Sequence, residues 1–238
     1  MAQNLESIKY KFVLLGDSSV GKSAIFSRLS KKEFSDNYVS IIGTEKIIID
    51  FDKVPIDKDI CQNFRIVLFD TAGQERYRAI TKTYFRDSQG IVLIYSIENE
   101  TSFEHIQTWV DSIKDSLSDW EKSGYIVMLL GNKLDIAEEN KAKRMIFIEE
   151  AERICKEQDI YWGGECSAKT FDENQIKEIF IKFIKQIYLK LRDKNNDKDK
   201  NIKQITKKLT DYKRRKGMEC CLWKEYGKKE PKEKWLII

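Results

Sequence analysis

Gly16-Asp17-Ser18-Ser19-Val20-Gly21-Lys22-Ser23 directly follows an apolar run, Tyr10-Lys11-Phe12-Val13-Leu14-Leu15. The run reads as a buried strand over 9–15, and the residues from Lys22 to about 32 read as a helix. A glycine-bounded loop between such elements forms a phosphate cradle. Gly16 and Gly21 let the backbone curl until successive N–H groups point inward. The helix N-terminus adds its positive dipole end. The Lys22 ammonium can reach the outer phosphates, and the Ser23 hydroxyl can ligate Mg²⁺. By itself the loop specifies a nucleoside triphosphate, not a base.

Outward from this loop, strands and helices alternate. Residues 45–52 and 63–69 read as two strands joined by a long loop holding Pro55 and Cys61. Residues 90–95 and 125–131 are short and almost wholly apolar, as strands covered on both faces are. Between them Phe103, Ile106, Val110, Ile113 and Leu117 recur at helical spacing. Residues 145–157 read as another helix and 160–165 as a last short strand. A closing helix follows, with Phe171, Ile176, Phe180, Phe183 and Ile187 on one stripe. This order predicts an α/β fold of the P-loop nucleotidase kind: a doubly wound, six-stranded, mostly parallel sheet with five helices. Ligands then sit beyond the carboxyl ends of the strands.

Three further motifs fall at those ends. Asp70-Thr71-Ala72-Gly73-Gln74-Glu75-Arg76-Tyr77 follows the third strand. Asp70 can hold Mg²⁺, Gly73 allows its backbone to approach a terminal phosphate, and Gln74 is placed to orient an attacking water. Asn132-Lys133-Leu134-Asp135 follows the fifth strand. A carboxylate there can accept hydrogen bonds from the guanine N1–H and exocyclic amine. Adenine offers neither donor in that place, and sites built this way discriminate by roughly 10⁴–10⁵. Asn132 can tie loops together, and the Lys133 stem can cover the base. Cys166-Ser167-Ala168-Lys169 follows the last strand. Its backbone N–H groups can meet the guanine oxygen, and the Lys169 stem can cover the other face. Cys166 reads as a small packing residue rather than a nucleophile.

The bulk composition bounds the alternatives. The chain has 238 residues, 41% of them hydrophobic and 34% charged, with two prolines. That suits one globular domain with extra length. No apolar run reaches the ~18 residues of a membrane span, and the first residues show no secretory pattern. Five cysteines without metal-like spacing point to a reducing compartment. The single histidine, His105, excludes a zinc cluster and reads as a surface residue. The net charge of +4 hides an asymmetry: Lys190–Ile238 carries 17 basic and 8 acidic residues, a net of +9, leaving the rest at −5. The expected organisation is therefore a domain over 1–190 and a basic, flexible tail over 191–238.

Together these motifs resemble the Ras superfamily of small GTPases, over roughly residues 8–190, and the Rab branch most. The resemblance implies binding and hydrolysis of GTP with Mg²⁺ as cofactor. It implies a nucleotide site made of Asp17, Ser18, Ser19, Val20, Gly21, Lys22, Ser23, Ala24, Phe34, Gly73, Asn132, Lys133, Asp135, Ser167, Ala168 and Lys169. Ser23 and Asp70 would serve the metal, and Gln74 catalysis. Phe34 matches the aromatic that packs edge-on to guanine, and Tyr38 the first switch tyrosine. Exchange factors, GTPase-activating proteins and effectors are the implied partners of a cytoplasmic monomer, on the cytosolic face of endomembranes, in vesicle-mediated transport. Nucleic acid is not an expected partner.

Four departures stand out. Where the family has the threonine that ligates Mg²⁺ and senses the γ-phosphate, this chain has Ile41, which has no oxygen to offer. Phe69 replaces the usual tryptophan. The hairpin over 50–64 is longer than the family norm and reads as an exposed insertion. No prenylation box ends the chain, Cys220 and Cys221 lying upstream of Trp235-Leu236-Ile237-Ile238. Two other membrane routes remain: lipidation of that cysteine pair, and a basic interfacial helix with Ile202, Ile205, Leu209 and Tyr212 beside Lys203, Lys207, Lys208 and Lys213.

Overall fold

A computed structural model of the chain describes residues 6–30, 45–57, 60–71, 87–116 and 125–215, those from 195 onward as backbone only. The chain divides into two compact units, Met1–Leu191 and Arg192–Ile238.

Six strands form one sheet in the order β2-β3-β1-β4-β5-β6. They are β1 (Ile8–Leu15), β2 (Glu45–Asp57), β3 (Ile60–Asp70), β4 (Gly90–Ser96), β5 (Ile126–Asn132) and β6 (Tyr161–Glu165). Only the β2–β3 pair is antiparallel. The helices are α1 (Lys22–Leu29), α2 (Glu100–Glu104), α3 (Ile106–Ser116), α4 (Leu134–Glu139), α5 (Ile148–Gln158) and α6 (Glu173–Arg215). With α2 and α3 taken as one helix interrupted at His105, the described residues hold the five helices expected.

The alternation of side chains along each strand sorts the core into two layers. Phe12, Leu14, Val92, Ile94, Met128 and Leu130 face one side, packing with Ile25 of α1 and Phe180 and Phe183 of α6. Val13, Leu15, Ile91, Leu93, Tyr95 and Leu129 face the other, with Ile106, Val110 and Ile113 of α3 and Ala151 of α5. Every residue of β4 is buried, which explains its unbroken apolar sequence.

Three expectations need correction. The first concerns the hairpin. β2 and β3 run on through the stretch read as a loop, with bulges between Phe51 and Val54 and between Pro55 and Asp57. Val54 and Ile56 are 1% and 3% exposed and join the first core layer, so this is no exposed insertion. Pro55 is tolerated because β2 is an edge strand.

The second concerns the helix expected over 145–157, which begins only at Ile148. The backbone N–H groups of Met145 and Ile146 donate instead to Ile97 O, at 3.0 and 3.2 Å. Phe147 is extended, and its N–H donates to the Glu150 carboxylate at 3.0 Å.

The third concerns the closing helix, whose backbone continues far past its apolar stripe to Arg215. No glycine or proline lies between Gly164 and Gly217 to stop it.

Candidate functional site

The β1–β3 register places Leu14 opposite Asp70, so the end of β3 lies beside the start of the glycine loop. The Thr71 hydroxyl fixes this junction by donating to Leu14 O at 2.7 Å. Beyond β1 the chain turns through three residues of positive φ: Gly16 (132°), Ser19 (62°) and Gly21 (98°). A Cβ at Gly16 would stand 2.1 Å from Ile94 O, and one at Gly21 2.1 Å from Asn132 Nδ2. Both positions therefore require glycine. Ser19 carries a side chain in the left-handed region, a conformation that costs about 1–2 kcal/mol and persists only where neighbours enforce it.

Those neighbours are identifiable. On one side Asn132 Nδ2 donates to Val20 O at 2.9 Å, and its Oδ1 accepts from Ala168 N at 3.0 Å. One amide thus joins the loop after β1, the end of β5 and the loop after β6, as the sequence suggested. On the other side the Asp17 carboxylate turns away from the loop mouth. It accepts from Trp109 Nε1 at 2.8 Å and from His105 Nδ1 at 2.5 Å. What Asp17 leaves for a phosphate is its backbone. Lys22 is buried, its ammonium donating to the carbonyls of Gly16 (2.8 Å) and Asp17 (2.5 Å) across the loop. Val20 is buried in the first core layer, with Ala24 packed partly buried against it, so their side chains hold the cradle from behind. Ser18 and Ser19 hydroxyls lie 3.5 Å apart on its exposed rim.

Asp70 is buried, and its Oδ1 has no hydrogen-bond partner. Burial pushes its pKa up; the Ser23 hydroxyl, bonded to the same carboxyl, and the nearby Lys22 ammonium oppose that rise. A buried carboxylate oxygen without a donor, tied to a serine hydroxyl and facing the loop, suits a hard divalent cation. Among the described residues no group of three His, Cys, Asp or Glu could hold a metal ion. Mg²⁺ keeps most of its ligands as water and phosphate oxygen, so a site for it needs few protein donors. Ser23 and Asp70, so arranged, are residues that would fit Mg²⁺.

The motif after β5 is held from several directions. Lys133 adopts φ 70° at the start of α4, and its ammonium pairs with Glu98 at 2.7 Å. Leu134 N donates to Cys166 O at 3.0 Å. Asp135 is buried, and its Oδ1 accepts from the Ser167 hydroxyl at 2.5 Å. Ser167 Oγ in turn accepts from Lys169 N and Thr170 N, at 3.2 and 3.1 Å. Arg28 of α1 fixes the same turn by donating to the carbonyls of Ala168 and Lys169, at 2.8 and 2.5 Å. Behind it, Arg144 donates to both Glu165 oxygens from its Nη1 and Nη2, at 2.6 and 2.8 Å. Cys166 is fully buried, and burial pushes its thiol well above the ordinary range, which suits packing rather than nucleophilic attack.

The structure thus brings together Asp17 to Ala24, Asp70, Asn132, Lys133, Asp135 and Ser167 to Lys169 at one set of strand ends. Phe34, Tyr38, Ile41, Gly73 and Gln74 lie outside the described residues, as do Cys220 and Cys221. Phe69 is described, with the Lys11 ammonium 5.2 Å above its ring. Sequence reasoning missed His105, Trp109, Arg28, Glu98 and Arg144. The first two were visible as N–H-bearing rings four apart on one helical stretch; the others left no signal.

Comparison with known proteins gives the chain's family. The Ras family model matches residues 11–189. "Ras-related protein Rab-13" of Bos taurus is 37% identical over 207 residues, 85% of this chain and 94% of that protein. "Ras-related protein Rab-8B" of Homo sapiens is 36% identical over 189 residues, 79% and 83% of the two chains. "Ras-related protein Rab-8" of Diplobatis ommata is 34% identical over 219 residues, 90% and 96%. With the family model covering most of the chain and relatives at 34–37% identity over most of their length, the chain belongs to the Ras family of small GTPases, on its Rab-like branch.

Proposed function

We propose that this protein is a guanine-nucleotide switch that binds GDP and GTP and hydrolyses GTP slowly, as a regulator of vesicle-mediated transport. The observation that carries the reading is the coupling, through Asn132, of a preformed phosphate cradle to a buried carboxylate, Asp135. Ser167 holds one Asp135 oxygen, which orients the carboxylate for the two donors on the guanine edge. The Lys133 and Lys169 stems cover the two faces of the base. Backbone N–H groups of the loop and the Lys22 ammonium take the phosphate charge.

Ser23 and Asp70 would hold Mg²⁺, which when bound would neutralise charge on the outer phosphates. Gln74 orients a water on the γ-phosphorus. A bond forms from that water oxygen to phosphorus, and the bond to the bridging oxygen breaks, leaving GDP and inorganic phosphate. The protein's share is positioning and charge stabilisation. Ile41 stands where the family's γ-phosphate-sensing threonine would be, and it has no oxygen. The GTP-ordered state is therefore weakened and hydrolysis slowed, while GDP binding rests on other residues.

Exchange factors, activating proteins and effectors are the partners of this reading, with peripheral membrane contact through the basic tail. The organisation is a nucleotide-binding domain over 1–190 and a tail over 191–238. Ile41 also favours a second reading, a guanine-nucleotide-binding scaffold that does not cycle. Nucleotide content and single-turnover hydrolysis, measured beside Ile41→Thr, separate the two. A switch co-purifies with guanine nucleotide, turns over slowly and speeds up in the variant. A scaffold holds the nucleotide and shows no turnover with Ile41 in place.

A further inference from the structure

Asp17 carries its side chain from the phosphate loop to the α2–α3 region. Its carboxylate side chain is 15% exposed and accepts two hydrogen bonds from the α2–α3 region, 2.8 Å from Trp109 Nε1 and 2.5 Å from His105 Nδ1. The two donors are four residues apart, so one helical turn brings both rings to the same side. Trp109 is 8% exposed and packed in the second core layer, so its indole cannot move without disturbing that layer. His105 sits at the break between α2 and α3, with its ring about half exposed. On the far side of the same loop, Asn132 holds Val20 O. Ser19, in its left-handed conformation, lies between these two anchors.

A loop of inward N–H groups binds an anion well only if it holds its shape before the anion arrives. The Asn132 anchor fixes the end of the loop nearest the base motif, and Asp17 fixes the other. We propose that Asp17, clamped by Trp109 and His105, is a positioning residue that keeps the phosphate loop in its binding shape, so that the α2–α3 region sets how fast nucleotide leaves. This rests on the guanine-nucleotide reading above. Loss of either donor leaves a largely buried carboxylate short of a partner, and the loop relaxes toward shapes with fewer N–H groups on the phosphates.

The test is release of mant-GDP from the full chain in Mg²⁺, chased with excess GDP. Trp109→Phe keeps the apolar bulk and removes the indole N–H. Its release is expected to be about tenfold faster, the effect of losing one hydrogen bond to a charged group. His105→Ala touches no core packing and serves if Trp109→Phe fails to fold; about threefold faster release is expected from a more exposed donor. Asp17→Ala combined with Trp109→Phe should release no faster than Asp17→Ala alone, because both remove the same brace. Asp17→Asn, which keeps an acceptor for Trp109, should recover most of the wild-type rate. Variants that melt at lower temperature yet release mant-GDP within twofold of wild type, or that add fully in the double variant, overturn the brace and leave the nucleotide reading standing. A wild-type protein that takes up no mant-GDP overturns that reading and the brace with it.

Discussion

Asp70 illustrates how a residue placed for the proposed metal site costs stability. Its carboxyl is buried with one oxygen unpartnered, and burial raises its pKa. A carboxyl with a raised pKa binds its proton more readily in the folded state than in the unfolded one. Its ionised form therefore costs folding free energy, and that cost appears as pH rises through the ordinary carboxylate range toward the folded value. If Asp70 holds Mg²⁺ as proposed, the proton would compete with it, and metal affinity should fall on acidification at a higher pH than for an exposed carboxylate. Asp70→Asn should make GDP release insensitive to Mg²⁺ while the GDP-bound protein in chelator melts no lower than wild type. Release rates with and without EDTA, beside a thermal melt, check both. Ser167 makes a parallel case at the base. Ser167→Ala removes a hydrogen bond to the buried Asp135, and GDP affinity should drop by about tenfold with the phosphate loop unchanged. Titration of mant-GDP into nucleotide-exchanged protein measures it. Of the cysteines described, Cys61 is exposed, whereas Cys155 is buried with its pKa pushed up to about 12 and Cys166 is fully buried. Brief alkylation of the native protein should label Cys61 and spare the other two, as peptide mass spectrometry will show.

Among the elements, the β2–β3 hairpin is where pattern and structure parted. The run after Phe51 reads Asp-Lys-Val-Pro-Ile-Asp, with a proline and three charges, and those signals favour a loop. Two bulges re-aim the strand so that Val54 and Ile56 enter the core while the charged residues face solvent. Alternation was present in the sequence, but a bulge shifts its phase, and an interrupted period of two is hard to tell from no period. Ile56→Ala should cost about 2–4 kcal/mol, as a buried isoleucine does, where an exposed insertion would lose almost nothing. Equilibrium denaturation of the GDP-bound protein distinguishes these outcomes. The loop after α4 shows the opposite effect. Its apolar residues Met145, Ile146 and Ile148 suggested helix, but Ile97 O takes the N–H groups of the first two. Met145, Phe147 and Ile148 remain exposed there, at 48%, 56% and 44%. Arg144, held bidentately by a Glu165 side chain only 7% exposed, anchors this segment to β6. Arg144→Ala should destabilise by about 3 kcal/mol, because it leaves the glutamate buried and unpaired; a urea midpoint shift measures this.

At the scale of the whole molecule, charge is divided between the two units, −4 over Met1–Leu191 and +8 over Arg192–Ile238. No helix of the described residues is long and apolar enough to cross a membrane. The helical backbone continuing to Arg215 places Ile202, Ile205, Leu209 and Tyr212 within a regular helix, as their spacing anticipated. Basic residues near an anionic surface contribute about 1 kcal/mol each. The full chain should therefore float with anionic vesicles at low salt and lose that behaviour without residues 198–238; equal flotation of both forms would reject membrane contact through the tail. The sequence by itself determined the layered α/β architecture, the phosphate cradle and the motif that carries the carboxylate proposed to read guanine. Each of these is written locally, in strand-length apolar runs and in residue types that sit side by side along the chain. Only the tertiary structure decided what holds the cradle in shape. Asp17 meets His105 and Trp109 across 88 and 92 residues, and Asn132 meets Val20 across 112. No periodicity encodes such pairs. They exist because parallel strands deliver the ends of β1, β4 and β5 to one edge of the sheet, where side chains distant in sequence become hydrogen-bonding neighbours.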